Sequence, residues 1–100
     1  MNLRKEARGR DCTVRLPCCN GNPETVVFAH LRMSGVTGFG WKPDSRKGQY
    51  EPGCFACSDC HDAIDRRRYL DYDYDFVRLN HLEAVIRTQK ILHDEGKPVA

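Results

Sequence analysis

CFACSDCHDAID, residues Cys54 to Asp65, holds three cysteines at intervals of three, a histidine directly after the last of them, and an aspartate four residues beyond that histidine. Zinc is held tetrahedrally by thiolates and imidazoles, and a C-x2-C pair offers two of the four ligands from one tight turn. Cys57-Ser58-Asp59-Cys60 is such a pair and Cys54-Phe55-Ala56-Cys57 is another, so spacing by itself leaves the register open. The later pair is preferred because it puts its last thiol on the first turn of the helix that follows.

The remaining ligands must come from upstream, from Cys12 and one of Cys18 or Cys19. Cys19 is preferred, because it directly precedes Asn20-Gly21, and that dipeptide tolerates the left-handed backbone of a metal knuckle. Two separated cysteine groups, the second opening a helix, suggest a small α+β domain with a treble-clef-like zinc knuckle. The competing readings are three disulfides, or six small buried hydrophobic residues. MNLRKEARGR at the start lacks the apolar run of a secretory signal, so the expected setting is the cytoplasm, where thiols stay reduced.

The 100 residues suit one domain, with 9% aromatic and 30% charged side chains. So small a core is marginal without a staple, and a bound metal is one. No apolar run of membrane-spanning length is present. A net charge of +2 excludes binding to nucleic acid by bulk electrostatics alone. The distribution is more telling: Arg4, Lys5 and Arg8 lie in a basic arm over residues 1–10, and Arg66, Arg67 and Arg68 follow the opening stretch directly. Two such patches are able to grip phosphates, although a charge run by itself is more often plain solvated surface.

Along the chain, Thr13 to Leu16 reads as a short β-type run stopped by Pro17, followed by turn signals at Asn20-Gly21 and Asn22-Pro23. TVVFAHL predicts a strand from Thr25 to about Leu31, with His30 near its end. SGVTGFGWKPDSRKGQYEPG, residues 34–53, carries five glycines and two prolines and reads as a loop. Ser58 or Asp59 is expected to cap a short helix running to about Arg68. Residues 73–95 predict a long C-terminal packing helix, with an acidic first turn, an apolar face of Phe76, Leu79, Leu82, Val85, Ile86 and Ile91, and Gly96 and Pro98 as stop signals.

On the short helix His61 and Asp65 stand at i and i+4, on one face, as two ligands of a second ion would; an intrahelical contact without a metal uses the same spacing. An imidazole with a carboxylate suits magnesium, manganese, nickel or zinc. His30, at a strand end before a glycine-rich loop and a C-x2-C-H helix, completes the layout of a general base facing a metal-holding helix.

VVFAHLR, SGVTGFGWKPD and ACSDCHDAIDRR resemble the HNH, or ββα-metal, nuclease superfamily, and with CNGNPETVVFAH the chain resembles the prophage-encoded YbcO family over about Leu3 to Gly96. The resemblance implies an HNH-like domain and an endonuclease that hydrolyses DNA, breaking the bond from phosphorus to the 3′ oxygen. It gives His30 the role of general base and His61 that of the final histidine, with Asp65 as an additional ligand of the catalytic divalent ion. Asp44 is the nearest counterpart of the middle residue. Many members place Asp or His immediately before the base as a metal ligand, where this chain has Ala29. The alternative function is a noncatalytic, zinc-stabilised DNA-binding or adaptor module. Either one expects DNA as partner, no membrane, and a monomer or homodimer.

Overall fold

The computed structural model describes residues 3–31, 52–67 and 71–97. Asp44, Arg68 and nearly all of the predicted glycine-rich loop lie outside these residues. The described elements are α1 (Leu3–Ala7), a single 3-10 turn (Pro23–Thr25), β1 (Val27–His30), β2 (Gly53–Ala56), α2 (Ser58–Ile64) and α3 (Tyr74–Asp94). The architecture is α+β.

β1 and β2 form an antiparallel ribbon in which Val27 faces Ala56, Phe28 faces Phe55, Ala29 faces Cys54 and His30 faces Gly53. β1 is shorter than predicted because Asn22 caps the 3-10 turn, accepting from the Glu24 N–H and drawing Thr25 out of the strand. β2 was not expected, since its residues read as part of the cysteine stretch. All four of them are buried, and a methyl group on Gly53 would lie 2.5 Å from the Phe28 ring.

Among the described residues the outer edge of β2 meets no third strand; at Phe55 its backbone groups are taken up by the backbone and side chain of Thr13 and by the side chain of Thr88. The Phe55 carbonyl accepts from the Thr13 N–H at 2.7 Å and from Thr13 Oγ1 at 2.9 Å, and the Phe55 N–H donates to Thr88 Oγ1 at 3.3 Å. The Thr13 to Leu16 run is therefore not a strand: it crosses β2 at one residue and then turns away, with Arg15 at φ 59. Buried Val14 and Leu16 join Phe55, Phe28 and Val26 in the core.

α2 is capped by Cys57, in place of Ser58 or Asp59. Its Sγ accepts from the Cys60 N–H at 3.4 Å, so the thiol that opens the knuckle also opens the helix. α3 runs as predicted to within a residue, with Asp73 capping the Asp75 N–H and Gly96 following its end. Its buried stripe differs from the expected one. His81, Ala84, Val85, Thr88 and Leu92 face inward, whereas Phe76, Leu79 and Ile86 are exposed, Ile86 at 64%. α3 packs on β2 and α2, where small side chains permit close approach, and the larger ones turn outward.

The basic N-terminal segment forms α1, which packs on β1. Arg10 spans Glu6 and Glu95, with 2.6 Å to the latter, and Lys97 reaches both of the same carboxylates, tying α1 to the end of α3.

Candidate functional site

Cys12, Cys19, Cys57 and Cys60 bring their sulfurs within 4.8 Å of one another, close enough to hold one metal ion. These are the four preferred from the sequence, Cys57 and Cys60 for their place at the helix start and Cys19 for the Asn-Gly turn after it. Cys57 and Cys60 come from the start of α2. Cys12 and Cys19 come from the irregular segment on either side of Val14 and Leu16, whose burial anchors both. Gly21, at φ 66, makes the turn after Cys19. Cys18 points elsewhere, toward the Asp59 carbonyl at 3.7 Å. Cys54 is buried on β2, where burial pushes its thiol well up. None of the six cysteines is in a disulfide.

Electrostatics of the four thiols favour a cation among them. Cys12 is drawn down to about 4, chiefly by the Cys60 thiol and further by the backbone N–H groups of Arg15, Cys57 and Val14, against its burial. The resulting negative charge then opposes the next ionisation: Cys60 is pushed far up, first by Cys12 and then by burial, and Cys19 rises to about 11, first through burial. Four crowded thiols cannot all ionise unaided, and a divalent ion removes that repulsion, because it deprotonates coordinating thiols outright. The donor set fits such an ion.

Directly beyond Cys60, His61 Nε2 lies 3.2 Å from Asp65 Oδ2. Asp65 also accepts from Arg67 at 2.7 Å. His30 sits at the end of β1, its ring edge-on to Phe28 with centroids 5.2 Å apart, and β1 packs on the helix that carries His61. Among the described residues the four cysteines are the one group of three or more candidate ligands gathered within 4.8 Å, so His61 and Asp65 form a pair and not a closed cage.

His81 belongs beside them, and the sequence reading did not single it out. Burial holds its imidazole below the usual histidine range, and His61 adds to the lowering, while the Ala29 backbone and the Asp65 charge pull the other way. These neighbours place it at the junction of β1, α2 and α3. The signal was available: His81 precedes Ala84, Val85 and Thr88 by three, four and seven residues, the spacing of one helical face.

The arginine cluster divides. Arg67 is held by Asp62 and Asp65, whereas the Arg66 guanidinium lies over the Tyr74 ring at 4.2 Å. Arg4, Lys5 and Arg8 are exposed along α1 and just after it.

The profile of a family described as "Putative nuclease YbcO" matches residues 1–97. This chain belongs to the YbcO family. A YbcO relative from Escherichia coli K12 bearing that same description is 48% identical over 96 residues, covering 95% of this chain and 94% of the relative. A counterpart in Enterobacteria phage 82 matches equally, so YbcO proteins are also encoded by phage. A solved structure of a "putative bacteriophage protein" from E. coli K-12 superposes with a TM-score of 0.70 at 45% identity, covering 93% of this chain and 98% of that one. Both nuclease descriptions are of those YbcO proteins. Among the described residues of this one, no helix is long and apolar enough to cross a membrane.

Proposed function

We propose that the chain is a metal-dependent endonuclease of the HNH type acting on DNA, built on a structural zinc held by Cys12, Cys19, Cys57 and Cys60. The observation that carries this reading is the His61–Asp65 pair, 3.2 Å apart one turn beyond the thiol cluster, on a helix against which the His30 strand packs. His61 and Asp65 are the ligands of the catalytic divalent ion, magnesium, manganese, nickel or zinc. When bound, that ion supplies positive charge to the phosphate and the leaving oxygen. His30 takes the proton from the attacking water. Asp44, from the segment before Gly53, is the candidate for the middle position. Arg4, Lys5, Arg8, Arg66, Arg67 and Arg68 are the candidate backbone contacts; Arg67 is already engaged by Asp62 and Asp65, whereas the Arg66 guanidinium lies over the Tyr74 ring.

The test is nicking of supercoiled plasmid with Mg2+, Mn2+ or Ni2+. Removal of a general base typically lowers rate by about 10²- to 10⁴-fold, so His30→Ala should nearly abolish cleavage with fold, zinc and DNA binding retained. Asp65→Ala should regain part of its rate as Mn2+ is raised, and His30→Ala should not. Wild-type cleavage by His30→Ala, in a preparation free of contaminating nuclease, rejects this mechanism. Binding of DNA without nicking in any metal favours the zinc-stabilised adaptor.

A further inference from the structure

Of the five large apolar side chains that stay exposed among the described residues, Tyr74, Phe76, Leu79 and Ile86 lie on α3. Steps of three and four residues keep to one face of a helix, and Phe76, Leu79, Glu83, Ile86 and Lys90 follow one another by such steps. Their stripe lies nearly opposite the buried one of His81, Ala84, Val85, Thr88 and Leu92. Half-buried Leu82 widens it on one side, and Tyr72 meets the Phe76 ring edge-on with centroids 5.9 Å apart. Single exposed apolar residues are ordinary on a protein surface. Three of them aligned on a 3.5-residue repeat form the kind of seam along which helices pair.

The charges along the seam identify its occupant. Asp73 and Asp75 stand at its N-terminal end, Arg87 and Lys90 toward its C-terminal end. A face that is acidic at one end and basic at the other complements itself when turned end for end, which is what a twofold interface requires. We propose that the exposed face of α3 binds the same face of a second copy of this chain, antiparallel, to form a symmetric homodimer. Phe76 then packs against Ile86 of the partner subunit, Leu79 and Leu82 pack about the axis, and Arg87 and Lys90 come beside the partner's Asp73. Each contact is made twice. A parallel pair would instead set Glu83 against the partner's Glu83 and Lys90 against the partner's Lys90, like charges on the seam itself. Lys90 is held by Asp94 at 2.6 Å on its own helix, but an exposed pair of that kind adds little and yields readily to a contact across the seam. Arg87 is fixed at the border of the seam, with one nitrogen on the Thr13 carbonyl at 2.7 Å and the other on Glu83 at 3.0 Å. Glu83 interrupts the apolar run, and a single polar residue on such a seam sets register at a cost in affinity.

Sedimentation and light scattering of the full chain, without DNA, test this. The wild type should show a reversible monomer–dimer equilibrium with Kd on the order of micromolar, as a small interface gives. Ile86→Glu, at a side chain 64% exposed, should keep the melting temperature of the wild type and raise Kd about 30-fold or more. Glu83→Leu should lower Kd, because it completes the apolar run. On dilution of the wild-type chain the methyl NMR signals of Leu79 and Ile86 should shift, whereas those of Val27, exposed on β1, should not; this measurement stands even if a variant fails to fold. Carbodiimide crosslinking of mixed 14N and 15N chains should join Lys90 to the partner's Asp73. A chain that stays monomeric at about 1 mM, a thousandfold above that Kd, overturns the proposal, and so does a dimer that Ile86→Glu leaves unchanged or a dilution shift that spares Leu79 and Ile86. Crosslinks from Lys90 to the partner's Glu83 or the partner's Asp94 overturn the antiparallel order.

Discussion

Arg66 and Gly96 hold the same position at the ends of two different helices. Each has a left-handed backbone, φ 55 and φ 73. In each case the next residue's N–H reaches back five places, Arg67 to the Asp62 carbonyl at 3.0 Å and Lys97 to the Leu92 carbonyl at 2.8 Å. Glycine adopts that backbone freely, and other residues do so at about 1–2 kcal/mol. Arg66 offsets part of its cost by lying over Tyr74 at 4.2 Å, a contact worth about 0.5–1 kcal/mol at an exposed site.

Gly96→Ala should therefore lower the unfolding free energy by about 1 kcal/mol. Arg66→Gly should leave it within about 0.5 kcal/mol of wild type, because relief of the backbone balances the lost ring contact. Arg66→Ala keeps the strain and loses the contact, so it should be the less stable of the two Arg66 variants. Urea denaturation of all three decides the matter, and an Arg66→Gly chain weaker than Arg66→Ala contradicts the account.

Gly53 faces His30 across the ribbon, and an added Cβ would meet the Phe28 ring at 2.5 Å and the Ala29 carbonyl oxygen at 2.7 Å. The ring is able to shift, but the backbone oxygen belongs to the strand that carries His30. Gly53→Ala should cost about 1–3 kcal/mol, the usual range for overpacking, and should reduce cleavage more than a distant substitution of equal cost to stability. Equal stability for Gly53→Ala and wild type would mean that β1 yields more easily than this packing implies.

Cys57→Ser and Cys60→Ser should lose metal and thermal stability together. A structural zinc contributes roughly 10–16 kcal/mol of binding free energy in small zinc-folded peptides, so the shift in melting should be large. Cys18→Ser, whose thiol points to the Asp59 carbonyl and away from the cluster, should keep full metal content, and so should Cys54→Ala, which removes one buried sulfur from the core. Metal analysis of the purified variants checks each; full stoichiometry in either of the first two removes the zinc assignment.

Glu95 is drawn down to about 2, first by Arg10 and then by Lys97. A carboxylate with a depressed folded value stabilises the fold fully above its ordinary range, near 4.5, and loses that contribution as pH falls toward 2. The gap in stability between wild type and Glu95→Gln should accordingly be constant from pH 6 to about 5 and narrow below 4.5. A gap independent of pH across that range would show that the clamp between α1 and α3 adds nothing through charge.

Much of the site was legible because its parts are local. A C-x2-C pair, an i and i+4 pair and the two ends of α3 are each set by a few consecutive residues, and each is found where the spacing predicts it. β2 was not legible, since Gly53 to Ala56 owes its strand conformation to partners far along the chain, β1 on one edge and Thr13 with Thr88 on the other. The Thr13 to Leu16 run has strand composition but finds room for only one bridging residue against that edge.

The amino-acid order alone determined which side chains can bind metal and that His61 and Asp65 share a helical face, because the pitch of a helix converts spacing into direction. Tertiary structure decided that Cys12 and Cys19 join Cys57 and Cys60 while Cys18 and Cys54 do not, and that His81 turns inward while Leu79 and Ile86 face solvent. The reason is packing: α3 has apolar side chains on more than one face, and which face is buried depends on the close surface that β2 and α2 present to it, a shape that exists only once the chain has folded.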